Sequence, residues 1–213
     1  MSAAEPHAFS QRDPRWREVR LGASALTISE AGCLLTVVAS LLADWGVETD
    51  PQRLNSWLMK RRGYLPPAAG GSACRFVFGS VEPLGARLRS WVDCYSTPAN
   101  LARVARTLSD GGAVLALVDA RPGCEVQAHW VRLLEVQKRD CLIMDPWQLP
   151  GAELGSLVKW YGSGGWDAGR AIFVIAAYER METARQARIE QGRLMRTQSE
   201  LCWRNLEAVD RDN

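Results

Sequence analysis

The sequence contains only two histidines among its 213 residues, and none of its six cysteines lies in a Cys-x-x-Cys pair. Protein zinc sites are usually built from such cysteine pairs and from histidines, so we expect neither a zinc site nor any other cofactor. No stretch of eighteen uncharged apolar residues occurs, and we therefore predict no membrane span. The net charge of +2 is too small to favour nucleic acid or a charged membrane surface as a partner.

The first seven residues lack the basic start and apolar core of a secretory signal peptide. A protein without such a signal is expected in a reducing compartment, so we predict that most of the cysteines are reduced and structural. They are Cys33, Cys74, Cys94, Cys124, Cys141 and Cys202. The location expected from these features is the cytoplasm, or a virion if the protein is encoded by a phage.

Apolar residues make up 47% of the chain, which is enough to form the core of one sizeable domain. The run from Leu34 to Trp45 repeats its apolar residues with a period near 3.6 and predicts a buried helix. Ser29 and Glu30 supply helix-start chemistry just before this run. Cys33 is therefore expected in or near the first helical turn.

The order of the remaining elements predicts helices first and an antiparallel sheet afterwards, an α+β fold. Helices are predicted at 51–61 and 98–110, strands at 75–78, 88–94, 113–118, 129–136, 141–144 and 171–177, and loops at 63–72, 121–127 and 151–169. The strands at 129–136 and 141–144 are separated by a short polar turn, so we expect them to form a hairpin.

The last part of the chain has a different composition. Residues 179–209 contain no proline and a single glycine, and they are rich in Glu, Arg, Gln, Ala, Leu and Met. This pattern predicts a long helix, and we divide the chain into a domain at 1–177 and a helical extension at 178–213. The extension is either a solvated helix packed on the domain or a helix at 178–210 that binds a protein partner or mediates oligomerisation.

Cys33 has two interpretations. The unpaired N–H groups and the dipole at a helix N-terminus favour a thiolate over a thiol, as a nucleophile requires. Free cysteine is also among the most buried residue types, so Cys33 could simply belong to the core.

A candidate base and carboxylate lie at the ends of the predicted hairpin. His129 opens the first strand, and Asp145 follows the second. Antiparallel neighbours joined by a short turn bring the start of one strand close to the end of the other, so we expect the two side chains to lie close together. A helix N-terminus packed at that edge would complete a nucleophile, a base and an orienting carboxylate. Individually, His129 could be an ordinary core or surface residue, and Asp145-Pro146 a plain turn.

Four ordered motifs resemble those of papain-like cysteine peptidases, in particular the bacteriocin-processing peptidases (peptidase family thirty-nine) and their stand-alone relatives. The motifs are Gln11-x-Asp13-x-x-Trp16, Gly32-Cys33-Leu34-Leu35-Thr36, His129-Trp130-Val131 and Asp145-Pro146-Trp147. A fifth similar segment runs from Thr49 to Leu58, and the resemblance covers residues 8–177.

The resemblance implies a papain-like fold in which the cysteine helix packs on an antiparallel sheet. It implies that Cys33 is the nucleophile, His129 the general base and acid, and Asp145 the residue that orients His129. Gln11 would donate to the oxyanion together with the backbone N–H of Cys33. No cofactor is implied. The final helix lies outside the family pattern.

Two classes of function follow from this resemblance. The first is a cysteine peptidase or amidase that cleaves a leader peptide or a peptidoglycan cross-link through an acyl-enzyme. The second is a papain-like module with a structural or interaction role in a larger assembly, such as a phage tail or virion. A transglutaminase-like acyltransferase would use the same three residues.

Overall fold

The computed structural model describes residues 5–67, 73–121 and 127–181. With the exception of Met181, these residues belong to one compact unit, Met1–Arg180. The helices are α1 Ile28–Ala31, α2 Cys33–Asp44, α3 Pro51–Lys60, α4 Leu101–Ser109, α5 Leu157–Tyr161 and α6 Ala168–Ala171, with a 3₁₀ helix at Phe78–Leu84. The strands are β1 Tyr64–Leu65, β2 Arg75–Phe76, β3 Ala86–Asp93, β4 Ala113–Asp119, β5 Ala128–Gln137, β6 Asp140–Met144, β7 Leu154–Ser156 and β8 Ile172–Arg180.

Six strands form one antiparallel sheet in the order β3-β8-β4-β5-β6-β7, and β1 pairs with β2 separately. This mixture of helices and antiparallel strands confirms the predicted α+β class. Strand β4 lies in the interior of the sheet, and all seven of its residues are buried. Leu115 packs in the same core cluster as Leu41 of α2, whereas Val114 and Ala116 pack in the cluster of Leu157 from α5. Both faces of β4 are covered, which explains its uninterrupted apolar sequence.

The segment before Cys33 differs from the single helix start that was predicted. Helix α1 ends at Ala31, and α2 begins at Cys33. Glu30 accepts a hydrogen bond from the backbone N–H of Thr27 at 2.8 Å, so it caps α1 and not the cysteine helix. Gly32 lies between the two helices. A larger residue does not fit there, because a Cβ would lie 2.4 Å from the carbonyl oxygen of Ile28. Cys33 is consequently the first residue of its helix.

Most of the other predicted elements are confirmed, with shifted ends. Helix α3 starts at Pro51 after Asp50, whose side chain accepts from the N–H of Arg53. Helix α4 starts at Leu101, three positions later than predicted, and Asn100 caps it. The predicted strand at 75–78 is shorter than expected and is followed by the 3₁₀ helix.

The prediction of a mostly irregular stretch at 151–169 is wrong. This stretch contains β7 and α5, and it contains the start of α6. Asp140 accepts hydrogen bonds from the hydroxyl of Ser156, at 2.5 Å, and from the N–H of Val158, at 2.9 Å. These tertiary contacts fix elements that are too short to be recognised from local sequence alone. The predicted loop at 63–72 likewise contains β1.

The predicted C-terminal helix is wrong over its first residues. Strand β8 continues to Arg180, because Tyr178 is buried and Glu179 and Arg180 pair with Arg87 and Ala86 of β3. The rest of the predicted helix, and most of the predicted extension at 178–213, lies outside the described residues. In the described part of the chain, no helix has the length and apolarity needed to span a bilayer.

Candidate active site

The β5–β6 hairpin brings His129 and Asp145 together. Arg132 of β5 pairs with Met144 of β6, so the residue after β6 lies beside the start of β5. Nε2 of His129 and Oδ1 of Asp145 are 2.7 Å apart. Both residues are buried, and Asp145 has no exposed surface. The sequence therefore predicted this juxtaposition from the turn length alone.

Cys33 lies beside the same histidine, and both line one cavity. The interaction with His129 affects the ionisation of the Cys33 side chain. Burial raises the pKa of the Cys33 thiol, but the hydrogen bond and charge of His129 lower it. The N–H groups of Trp130 and Leu34 contribute to the lowering, and the net pKa lies below the usual thiol value. The half-buried thiol therefore ionises more readily than an ordinary cysteine.

The other two groups shift in the directions that support an ion pair. Burial lowers the pKa of His129, but its bonds to Asp145 and Cys33 outweigh burial and raise the pKa to about 9. Burial raises the pKa of Asp145, and its hydrogen bonds, that to His129 first, lower the pKa overall. These shifts favour the form with a thiolate, an imidazolium and a carboxylate, whose combined charge is −1.

Gln11 reaches the site from the N-terminal segment. Its backbone N–H donates to the carbonyl of Pro146 at 2.8 Å, which ties the segment to the Asp145 loop. Its side-chain Nε2 donates to the carbonyl of Ser29 at 2.6 Å. An amide nitrogen carries two hydrogens, so one N–H remains for a ligand. Gln11 lines a cavity with Cys33, whose own backbone N–H lies at a helix start and has no intrahelical partner.

Asp145 has three partners besides the histidine. The N–H of Trp147 donates to Oδ1 at 2.9 Å, Gln148 Nε2 donates to Oδ2 at 2.7 Å, and the hydroxyl of Tyr161 donates to Oδ2 at 2.5 Å. Sequence reasoning missed Gln148 and Tyr161, and Tyr161 lies in the stretch 151–169 that was predicted to be mostly loop. The only local signal for Tyr161 was Ser156, which caps the short helix α5.

Two cavities meet at Cys33. One, of about 570 Å³, is mainly apolar. Its lining includes Leu21, Leu34, Leu65, Phe76, Phe78 and Trp130. The other, of about 440 Å³, is more polar and contains Gln11, His129 and Tyr161 together with Glu30 and Arg121. The nucleophile candidate is therefore open to solvent from two sides.

The remaining described cysteines differ from Cys33. Cys74, Cys94 and Cys141 are free and buried. Burial raises the pKa of each of them, to about 12 for Cys141. They are expected to be unreactive, and they provide internal references for the reactivity of Cys33. Within the described ranges, no group of three or more His, Cys, Asp or Glu side chains is arranged to hold a metal ion.

The chain is similar to a Bacillus anthracis protein that carries the provisional name C39-like peptidase, with a TM-score of 0.48 and 15% sequence identity. The similarity covers 82% of this chain and 95% of that one. The name is that of the peptidase family which the sequence motifs resemble. No protein-family model and no curated protein matched the sequence.

Proposed function

We propose that this protein is a cysteine peptidase or amidase that cleaves a peptide bond through a thioester acyl-enzyme. The observation that carries the proposal is the continuous arrangement from Cys33, at the first residue of α2, through His129 to the buried carboxylate of Asp145. Such an arrangement activates a thiol for nucleophilic attack.

The proposed reaction has two halves, which are formation of the thioester and its hydrolysis. The thiolate of Cys33 attacks the carbonyl carbon, and the oxyanion accepts from the backbone N–H of Cys33 and from Gln11. The imidazolium of His129 then protonates the leaving amine as the C–N bond breaks and the thioester remains. In the second half, His129 removes a proton from water, the water attacks the thioester, and the thiolate departs.

The apolar cavity beside Cys33 supports a peptide substrate with a bulky aliphatic or aromatic side chain next to the scissile bond. Its aromatic walls include Phe76, Phe78 and Trp130, and the volume of about 570 Å³ is large enough for such a side chain. Peptidoglycan stem peptides carry mostly small or charged side chains, which would leave these walls exposed. Of the two predicted substrates, this favours a polypeptide, such as a leader peptide, over a cell-wall cross-link.

The test of the proposal is the rate of iodoacetamide alkylation of Cys33 as a function of pH, measured by peptide mass spectrometry. We expect rapid labelling well below the normal thiol pKa in the wild type, and slow labelling in His129→Ala. His7→Ala is the matched control, because it removes the only other histidine, which bonds to Asp44 instead. Labelling of Cys33 no faster than that of Cys74 or Cys94 would refute the proposal.

The hydrolysis step is tested separately from thiol activation. Incubation with a mixture of peptides that differ in one apolar position should give cleavage products in the wild type and none in Cys33→Ala. Amine exchange without cleavage would indicate an acyltransferase. An activated Cys33 without any turnover would favour the structural or interaction module, whose predicted helix lies outside the described residues.

A further inference from the structure

We propose that Tyr161 is a positioning residue for the candidate active site, acting through Asp145. This inference rests on the proposed function and extends it to a residue outside the motifs that suggested it. Tyr161 is the last residue of α5 and is 6% exposed. Its hydroxyl lies 2.5 Å from Oδ2 of Asp145.

The first argument is the hydrogen-bonding capacity of the carboxylate. An ionised carboxylate offers about four acceptor sites, two on each oxygen. In Asp145, Oδ1 accepts from His129 and from the N–H of Trp147, and Oδ2 accepts from Gln148 and from Tyr161. All four sites are filled, so rotation of the carboxylate would break at least one bond. By holding Oδ2, Tyr161 fixes the orientation of the carboxylate and therefore the position of Oδ1, the oxygen that bonds to His129.

The second argument concerns charge. The thiolate, imidazolium and carboxylate carry about one net negative charge in a buried site, where unpaired charge is costly. A neutral O–H donor stabilises that charge without adding another ionisable group. Burial, followed by the negative charge of Asp145, raises the pKa of Tyr161 far above its usual range, so the hydroxyl remains protonated. Tyr161 is thus a donor throughout the pH range in which the site could work.

The third argument is the location of the ring. Its centroid is 5.7 Å from that of His129, and the ring borders the polar cavity that also contains Cys33. The ring therefore covers one side of the imidazole while its hydroxyl holds the carboxylate. The other charged groups that line this cavity, Glu30 and Arg121, are exposed. Solvent screens them, and their contribution to the pH dependence is expected to be small.

The direction in which the labelling midpoint moves follows from the net charge of Cys33, His129 and Asp145. When the pH falls, the group of three residues takes up a proton and its charge changes from about −1 to zero. Removal of the Tyr161 hydroxyl destabilises the more negative form, whichever member accepts the proton. The acid-side midpoint of Cys33 labelling should therefore move to higher pH, by up to about one unit, the value of a charge-assisted hydrogen bond. Below the midpoint, labelling should be slower than in the wild type, by up to about tenfold.

The experiment is the pH profile of iodoacetamide labelling of Cys33 in the wild type, Tyr161→Phe and Tyr178→Phe. Tyr178 is the matched control: it is also buried, and its hydroxyl donates to the carbonyl of Phe78 at 2.9 Å, away from Asp145. Tyr178→Phe should lose stability without any shift in the midpoint. A Tyr161→Phe midpoint equal to that of the wild type would overturn the inference, as would an equal shift in both variants.

A double-mutant cycle with Asp145→Asn tests whether Tyr161 acts through the carboxylate. The shift caused by Tyr161→Phe should shrink in the Asp145→Asn background, because the charge that the hydroxyl stabilises is absent. An undiminished shift would contradict the inference. The wild-type profile separates this inference from the proposed function: a wild-type Cys33 without early labelling refutes the function, whereas an activated Cys33 insensitive to Tyr161→Phe refutes only the role of Tyr161.

Discussion

Strand β5 carries two buried cations, His129 and Arg132, three residues apart, and each pairs with a carboxylate in different surroundings. His129 bonds to Asp145 at 2.7 Å, and Arg132 bonds to Asp44 at 2.6 Å. Asp145 follows β6, whereas Asp44 is the last residue of α2, the helix that begins with Cys33. One pair therefore contacts the start of the cysteine helix, and the other holds its end.

The first difference is access to a cavity. His129 lines the polar cavity with Cys33. Neither Arg132 nor Asp44 lines any of the cavities described above, and Arg132 also donates to the hydroxyl of Ser40 at 3.0 Å. A pair that faces a cavity can act on a ligand, whereas a pair enclosed by helix and strand can only fix their relative position.

The second difference is proton exchange. Burial lowers the pKa of Arg132 and the charge of Asp44 opposes that effect, but a guanidinium starts so high that it stays protonated at any working pH. The pKa of His129, at about 9, lies within reach of physiological conditions. Two pairs of similar distance thus differ in chemistry because only one contains a cation that can release its proton.

The largest expected effect is that of Cys33→Ala, which removes the proposed nucleophile. Turnover and iodoacetamide labelling at this position should both be lost completely. The free energy of unfolding should change little, by about 1 kcal/mol or less, because the thiol is half-buried and lines two cavities. Urea denaturation and peptide cleavage assays would check both parts. Large destabilisation would instead support the interpretation of Cys33 as a core residue.

The comparison between the two carboxylates is tested by Asp145→Asn and Asp44→Asn. Asp145→Asn should lower the rate of peptide cleavage by about 100-fold or more, because the amide cannot stabilise the imidazolium. Asp44→Asn should leave the rate within about twofold and lower the stability instead. Rate constants and melting temperatures of both variants would show the separation. Equal losses of activity would mean that both pairs serve the chemistry.

The pH dependence of cleavage should follow the ionisation of Cys33 and His129, without a contribution from Arg132 and Asp44. The pKa of Cys33 is lowered and that of His129 is raised to about 9, so the thiolate–imidazolium pair exists between these two values. Activity should fall about tenfold per unit above pH 9, where the imidazolium loses the proton needed by the leaving amine. Activity should also fall on the acid side as the thiolate is protonated. A rate that still rises beyond pH 9 would contradict the proton donor assigned here.

Arg132→Met is expected to affect stability more than rate. It leaves Asp44 without its guanidinium partner in a largely enclosed site, and we expect a loss of about 3 kcal/mol in unfolding free energy. The double variant Arg132→Met/Asp44→Leu should recover part of that loss, since an apolar replacement of both partners is often neutral. The labelling midpoint of Cys33 should not move in either variant. A shifted midpoint would show that the enclosed pair contributes to the ionisation of the site.

The sequence predicted the residues whose placement depends on chain connectivity. His129 and Asp145 are joined by a hairpin with a short turn, and Cys33 lies at the start of a long apolar helix, so periodicity and turn length were sufficient to locate them. The start of α3 at Pro51 and the buried strand β4 also agree with predictions from local sequence pattern.

The residues that sequence reasoning missed depend on tertiary contacts. Tyr161 belongs to a five-residue helix that starts only because Ser156 and Asp140 cap it. The ion pair of Arg132 and Asp44 joins positions 88 residues apart, and nothing in local periodicity connects them. The strand ending at Arg180 was mistaken for the start of a helix because pairing with β3 overrides the local preference of a charged segment.

The smallest expected effect is that of His7→Ala, which removes an exposed partner of Asp44. His7 bonds to the other oxygen of Asp44 at 2.8 Å, but its side chain is 56% exposed. An exposed pair of this kind contributes little because water and salt screen it, so His7→Ala should cost about 0.5 kcal/mol or less. The backbone N–H of His7 also donates to Asp44, and the substitution retains that bond. Urea denaturation at low and high salt would check this value. A loss comparable to that of Arg132→Met would mean that the N-terminal segment, and not the guanidinium, is the main partner of Asp44.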